Sequence, residues 1–215
     1  MSDSAAPTLF AAARSLSLTA LGLRCVTLTS SGAAQLASFV AEDRLTDLLV
    51  GPAWGGSSAP LAPSGALCAT LAGCTRLTRL TWGPCGGDGA RLLCALAGHA
   101  TLQTLRFRCA DDAVGPALGK MVAANAAALT FLAVGEKDAP LSEAGLRDLV
   151  LALPANTHLR SLDIAHNRLG DGFARDVLLP AVRANASLRS LKVLGNAVSV
   201  SHVLVKAEGI PFLRS

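Results

Sequence analysis

Apolar residues along this chain recur in a fixed six-residue frame, Leu-x-x-Leu-x-Leu or a close variant of it. The frame begins at Leu18, Leu45, Leu77, Leu102, Leu129, Leu159 and Leu188. Seven copies therefore follow one another at steps of 25 to 32 residues. Within each copy the second and third apolar positions alternate with polar or small ones, as in Leu162 and Ile164 around Asp163. Alternation with a period of two predicts a short strand that turns one face toward a core. Behind the strand the apolar spacing changes. In the copy from Leu159, the residues Phe173, Val177, Leu178, Ala181 and Val182 return at helical intervals, which predicts an amphipathic helix packed behind the strand. The same reading predicts helices over 33–41, 65–72, 89–97, 116–126, 143–152 and 173–184. A unit of about 28 residues with one strand and one helix cannot bury its apolar side alone and needs its neighbours.

Polar residues sit at fixed places in the frame as well. Asn167 and Asn196 occupy position 9 of the last two copies, where a side-chain amide can satisfy backbone groups that have left the sheet but are still buried. This pattern resembles the ribonuclease-inhibitor-like class of leucine-rich repeat proteins, with its consensus LxxLxLxxNxLxxxGxxxLxxxL. In the first copy Leu18, Leu21, Leu23, Leu28, Gly32 and Leu36 fall on the consensus positions, while Val26 replaces the asparagine. Cys85 is an accepted substitute in the third copy, and Ala53, Ala110 and Lys137 depart from the pattern in the second, fourth and fifth. The loops of the middle copies should therefore be less regular. The resemblance implies an α/β solenoid of seven repeats over residues 18–196, with a curved parallel sheet on the concave face and helices on the convex face. Strands spaced about 4.8 Å apart give an inner arc of about 29 Å. Residues 1–17 are expected to cap one end through Leu9, Phe10 and Leu16. Residues 197–215 are expected to cap the other through Val203, Leu204, Ile210, Phe212 and Leu213. Open repeat ends need such covers, and caps this apolar point to a neighbouring subunit at one end or both.

Composition narrows the function. Apolar residues make up 51% of the chain but aromatic residues only 4%, so the core is built of Leu, Val and Ala. Mean hydropathy is +0.46, which raises the question of a membrane. The longest uncharged stretch, 48–75, is long enough to span a bilayer by count. It contains Pro52, Pro60 and Pro63, which would leave backbone groups unpaired in lipid, so no membrane span is expected. The Ala- and Ser-rich N-terminus loosely suits a mitochondrial presequence, but Asp3 argues against it, and the segment reads better as a cap. Six cysteines occur without a Cys-x-x-Cys pair or a histidine at zinc spacing. They read as reduced structural thiols of a cytoplasmic protein, and no metal or cofactor is expected.

The net charge of +4 hints at an acidic partner, and without interleaved aromatics the basic residues do not suggest nucleic acid. The outward strand positions carry Arg24, Arg79, Arg106, Arg108, Phe131, Arg160, Arg189 and Lys192, against the acids Asp47 and Asp163. Arg160 should lie beside Arg189, and Asp163 beside Lys192. Trp54, in the Pro- and Gly-rich insert after the second strand, is a candidate contact residue. The charged stretch GEKDAPLSEAG in the fifth copy reads as a solvated loop. No histidine is spaced with a carboxylate or cysteine as a nucleophile pair requires, so an enzyme is not expected. Activators of the small GTPase Ran share the repeat class, and Arg24 and Arg108 stand where such a contact would lie, but the acidic tail of that family is missing. The expected role is a protein-interaction module or a structural subunit of a hetero-complex. A regulatory inhibitor or a GTPase regulator is the alternative, and the resemblance extends to proteins of the cytoskeleton, cilia and flagella.

Overall fold

The computed structural model describes residues 5–24, 30–51, 63–85, 88–135 and 137–198. Among them, seven strands form one all-parallel sheet in strict chain order, β1 to β7. The strands are β1 (Ala20–Arg24), β2 (Asp47–Gly51), β3 (Arg79–Cys85), β4 (Thr104–Cys109), β5 (Phe131–Val134), β6 (Ser161–Asp163) and β7 (Ser190–Lys192). Each of the seven six-residue frames supplies one strand. The register repeats without offset: Leu21, Leu48, Leu80, Leu105, Leu132, Leu162 and Leu191 lie opposite one another from strand to strand. All seven are buried. A single buried row of leucines thus runs the width of the sheet. Truncating one of its fully enclosed members to Ala should cost about 2–5 kcal/mol.

Helices alternate with the strands: α1 (Ala5–Ser15), α2 (Ser30–Val40), α3 (Gly65–Gly73), α4 (Gly89–Leu96), α5 (Gly115–Ala123) and α6 (Glu143–Ala152). α2 to α6 lie within about three residues of the ranges expected from apolar spacing, while α1 falls in the segment expected only as a cap. Their buried faces join the inward strand residues in one core cluster, and each helix packs on its neighbours. Ser64 caps α3 by accepting a hydrogen bond from the Leu67 N–H at 3.2 Å, and Ser142 caps α6 from the Ala144 N–H, as small hydroxyl residues do at helix starts. The last helical stretch has two α-turns, α7 (Asp171–Phe173) and α8 (Leu179–Ala184), separated by a π-turn over Ala174–Leu178. Pro180 has no N–H to give to the turn before it, so the hydrogen-bond ladder widens there.

Two expectations are corrected. Phe10 is buried against Phe39, ring centroids 5.6 Å apart, but Leu16 is 69% exposed. Leu16 falls just past the end of α1, and Ala13, one turn after Phe10, takes the inward place instead. The charged stretch of the fifth copy is also less solvated than expected. Its Ala139 and Leu141 are buried, and Ser142 is held by Asp112 through both its N–H and its hydroxyl. The residues proposed for the C-terminal cap lie outside the described residues. No helix among the described residues is long and apolar enough to cross a membrane.

Candidate functional site

In β1 to β7 the residues between the buried ones point away from the helices and are exposed or half-buried. That is unusual for a parallel sheet, which nearly always has both faces covered. The uncovered side is the candidate site. Its rows follow from the register. One row runs Asp47, Arg79, Thr104, Phe131, Ser161, Ser190, and the next runs Leu49, Thr81, Arg106, Ala133, Asp163, Lys192.

Most of the charged residues on this face have a partner across the strand. Arg79 forms an ion pair with Asp47, which lies opposite it, and this hydrogen bond holds the Asp47 carboxyl below its ordinary range. Arg106 lies over the Phe131 ring, 4.7 Å from its centroid, a cation–π contact that leaves its edge free to bond. Lys192 reaches Asp163 at 4.0 Å, the neighbour expected from the sequence. Arg108 is half-buried, and burial pulls its pKa down while the Asp138 carboxylate opposes the shift.

Toward the trailing ends of the strands the face deepens into a groove of about 620 Å³. Arg24, Arg106, Arg108, Asp163, His166 and Lys192 line it, with a floor of Gly51, Gly83, Ala133, Gly135 and Ala165. The glycines are enforced. A side chain at Gly51 would collide with the Gly83 carbonyl, and one at Gly83 with Arg108. Sequence reading named the cations but not this floor. The signal was nonetheless present, because position 7 of the frame is Gly or Ala at residues 51, 83, 135 and 165.

Arg160 and Arg189 do lie side by side, but elsewhere. They sit in the turns that lead into β6 and β7 and line a separate hollow of about 210 Å³ with Thr157 and Ser187. Position 2 of the frame precedes the strand, so its side chain stays on the leading edge and does not join the open face. Arg189 bonds the Ala186 carbonyl there at 2.9 Å. Trp54 lies outside the described residues.

Both edges of the sheet are sealed by buried or half-buried polar side chains. At the trailing edge Asn167 donates to the Val134 and Ile164 carbonyls and accepts from the Leu141 N–H at 2.8 Å. Asn196 repeats the pattern with Ile164, Val193 and Leu169. In the middle copies thiols stand in. Cys109 donates to the Cys85 carbonyl at 3.0 Å and accepts from the Asp111 N–H, and Cys85 donates to the Arg108 carbonyl. The hydrogen bond with Cys109, followed by burial, pushes the Cys85 thiol up, so it stays protonated. At the leading edge Asn156, Asn185 and His99 make the equivalent set three residues before the first leucine of the frame, an arrangement the sequence reading missed.

No protein-family model and no curated protein matches this chain.

Proposed function

We propose that this chain is a leucine-rich repeat solenoid of the ribonuclease-inhibitor-like class that works as a non-enzymatic protein-interaction module, a subunit of a larger hetero-complex. The observation that carries the reading is the uncovered parallel sheet. Seven strands present a continuous row of part-exposed side chains with no helix of the described residues over them, and a parallel sheet is left bare where something else covers it. Six strand spacings give a face about 29 Å across, at ~4.8 Å each, which suits one small protein partner. The polar residues support docking rather than chemistry. His99 is bonded to backbone groups and His158 to Asn125, and the Cys85 and Cys109 thiols bond backbone carbonyls.

Capture of the tagged protein from its own cells, followed by mass spectrometry, tests this. Ala133→Arg places a long side chain in the middle of the open face. Lys120→Glu alters an exposed residue on α5, behind the sheet. The expected result is a stoichiometric partner recovered by the wild type and by Lys120→Glu but lost with Ala133→Arg. Recovery of no partner by the wild type, or equal recovery by all three, would sink the proposal.

A further inference from the structure

The groove at the trailing end of the sheet has a charge pattern that the leucine frame does not require. Its cations stand on three strands, Arg24 on β1, Arg106 and Arg108 on β4, and Lys192 on β7. Among the described residues one carboxylate lines the groove, that of Asp163, and it is already met by Lys192. The trough between the cations is floored by Gly and Ala, whose backbone a ligand can approach closely. Leu49 and Leu194 add apolar lining, and Leu194 is 45% exposed. From β1 to β4, and again from β4 to β7, is three strand spacings, or about 14 Å. An extended chain rising ~3.3 Å per residue covers that distance in about four residues.

Resting on the interaction reading above, we infer that this groove binds an extended acidic peptide segment of the partner, lying across the strands with carboxylates about four residues apart. The carboxylates meet Arg24, the Arg106–Arg108 pair and Lys192 in turn, and small residues between them lie on the glycine floor. An arginine fork holds a carboxylate in two parallel hydrogen bonds, so the β4 pair is the anchor and the two end cations fix the spacing. Lys192 exchanges its 4.0 Å contact with Asp163 for the ligand's carboxylate. Single-stranded nucleic acid is the less suitable occupant, because it needs aromatic platforms for its bases. Among the described residues the aromatic ring of the open face, Phe131, is already covered by Arg106.

The probe is a fluorescein-labelled peptide of about nine residues, the length that spans the face. Glutamate occupies its first, fifth and ninth positions, with Ala and Ser between. A second peptide has the same composition with its glutamates adjacent. Fluorescence anisotropy with the full chain should show the spaced peptide binding more tightly than the blocked one. Arg106→Ser and the double variant Arg24→Ser/Lys192→Ser should each weaken the spaced peptide roughly tenfold, while Arg160→Ser/Arg189→Ser leaves it unchanged. Raising salt from about 0.1 M to about 1 M should weaken it further as screening shortens to ~3 Å. Arg106→Glu, which keeps a charged chain at an exposed site, should weaken the spaced peptide more than Arg106→Ser does, because it adds repulsion to the lost anchor. The inference is overturned if the spaced peptide does not bind, if the groove variants bind it as the wild type does, or if an oligo(dT) of equal charge binds more tightly. A captured partner that is lost with Ala133→Arg but kept by all the cation variants would leave the interaction module standing and remove the acidic segment.

Discussion

The middle and the C-terminal thirds of the sheet solve one problem with different chemistry. Where each chain segment turns out of or into the sheet, backbone groups are buried and need partners. In the C-terminal third, asparagine meets that need at both edges, with Asn167 and Asn196 after the strands and Asn156 and Asn185 before them. In the middle third Cys85 and Cys109 stand after the strands, and Cys74 and His99 before them. An amide offers two donors and an acceptor with two lone pairs, whereas a thiol offers one weak donor and a weak acceptor. Asn185 accordingly bonds the Leu153 and Asn156 carbonyls and the Ser187 and Leu188 N–H groups. Cys74 makes long contacts of 3.7 Å and 3.3 Å to the Val40 and Thr70 carbonyls. The fold needs a small polar group at these places, and the amount of bonding it supplies varies along the chain.

That difference should appear first in truncation energies. Asn185→Ala leaves the Ser187 and Leu188 N–H groups unmatched and takes one of two donors from each of the Leu153 and Asn156 carbonyls, and it is expected to lower stability by about 3 kcal/mol in urea unfolding. Gly135→Ala attacks the same third from the backbone. Gly135 has φ of +83°, and a side chain there would run into the Asn167 amide. A loss of about 2 kcal/mol is expected from the strain and the displaced amide. Cys109→Ala removes a thiol whose hydrogen bonds to Cys85 and Asp111 are weak ones and should cost about 1 kcal/mol. A Cys109→Ala loss equal to that of Asn185→Ala would erase the contrast between the two thirds. Thiol reagents sharpen it from another side. Cys94 is exposed while Cys68, Cys74, Cys85 and Cys109 are buried, and burial pushes the Cys74 thiol up to about 11. Among these five, native labelling at neutral pH should modify Cys94 alone, and mass spectrometry of the digested protein reads the site.

The strand frame was legible because its signal is repeated. Seven copies of one alternation fix which side chains turn inward, and the register follows when every unit uses its second leucine in the same way. The partners Arg160–Arg189 and Asp163–Lys192 were legible for the same reason. The place of the Arg160–Arg189 pair was not, because alternation says nothing about where the strand starts, and one residue separates the open face from the leading edge. The groove was readable only as a column. Gly51, Gly83 and Gly135 mean little singly, and they become a floor when position 7 is compared between copies. The edge ladder hid for a different reason. Cys74, His99, Asn156 and Asn185 occupy one structural place with three residue types, and a pattern of identities does not reveal a shared hydrogen-bonding task.

His99 makes the comparison testable with the smallest effect, one that vanishes at neutral pH. Its Nδ1 lies 3.3 Å from the Thr101 N–H and 3.1 Å from the Leu102 N–H and accepts from both, so its Nε2 must carry the proton shared with the Leu71 carbonyl at 3.1 Å. Only the neutral ring can do this. Burial accordingly lowers its pKa from the ordinary value of 6.5, although the Leu71 carbonyl and the Asp43 carboxylate oppose the shift. The sign follows from where the proton goes. Below about 6.5 the unfolded chain binds a proton that the folded chain resists, so stability falls with falling pH until the depressed folded value is reached. The slope from this one group is at most about 1.4 kcal/mol per pH unit. Asn156 and Asn185 make the same bonds without titrating, so His99→Asn should keep the turn and remove the slope. Urea unfolding of both proteins between about pH 7 and pH 5, above the ordinary carboxylate range, isolates the difference. Parallel profiles would mean that His99 is not the pillar of the middle third, and the two thirds would then differ in residue type but not in what holds them.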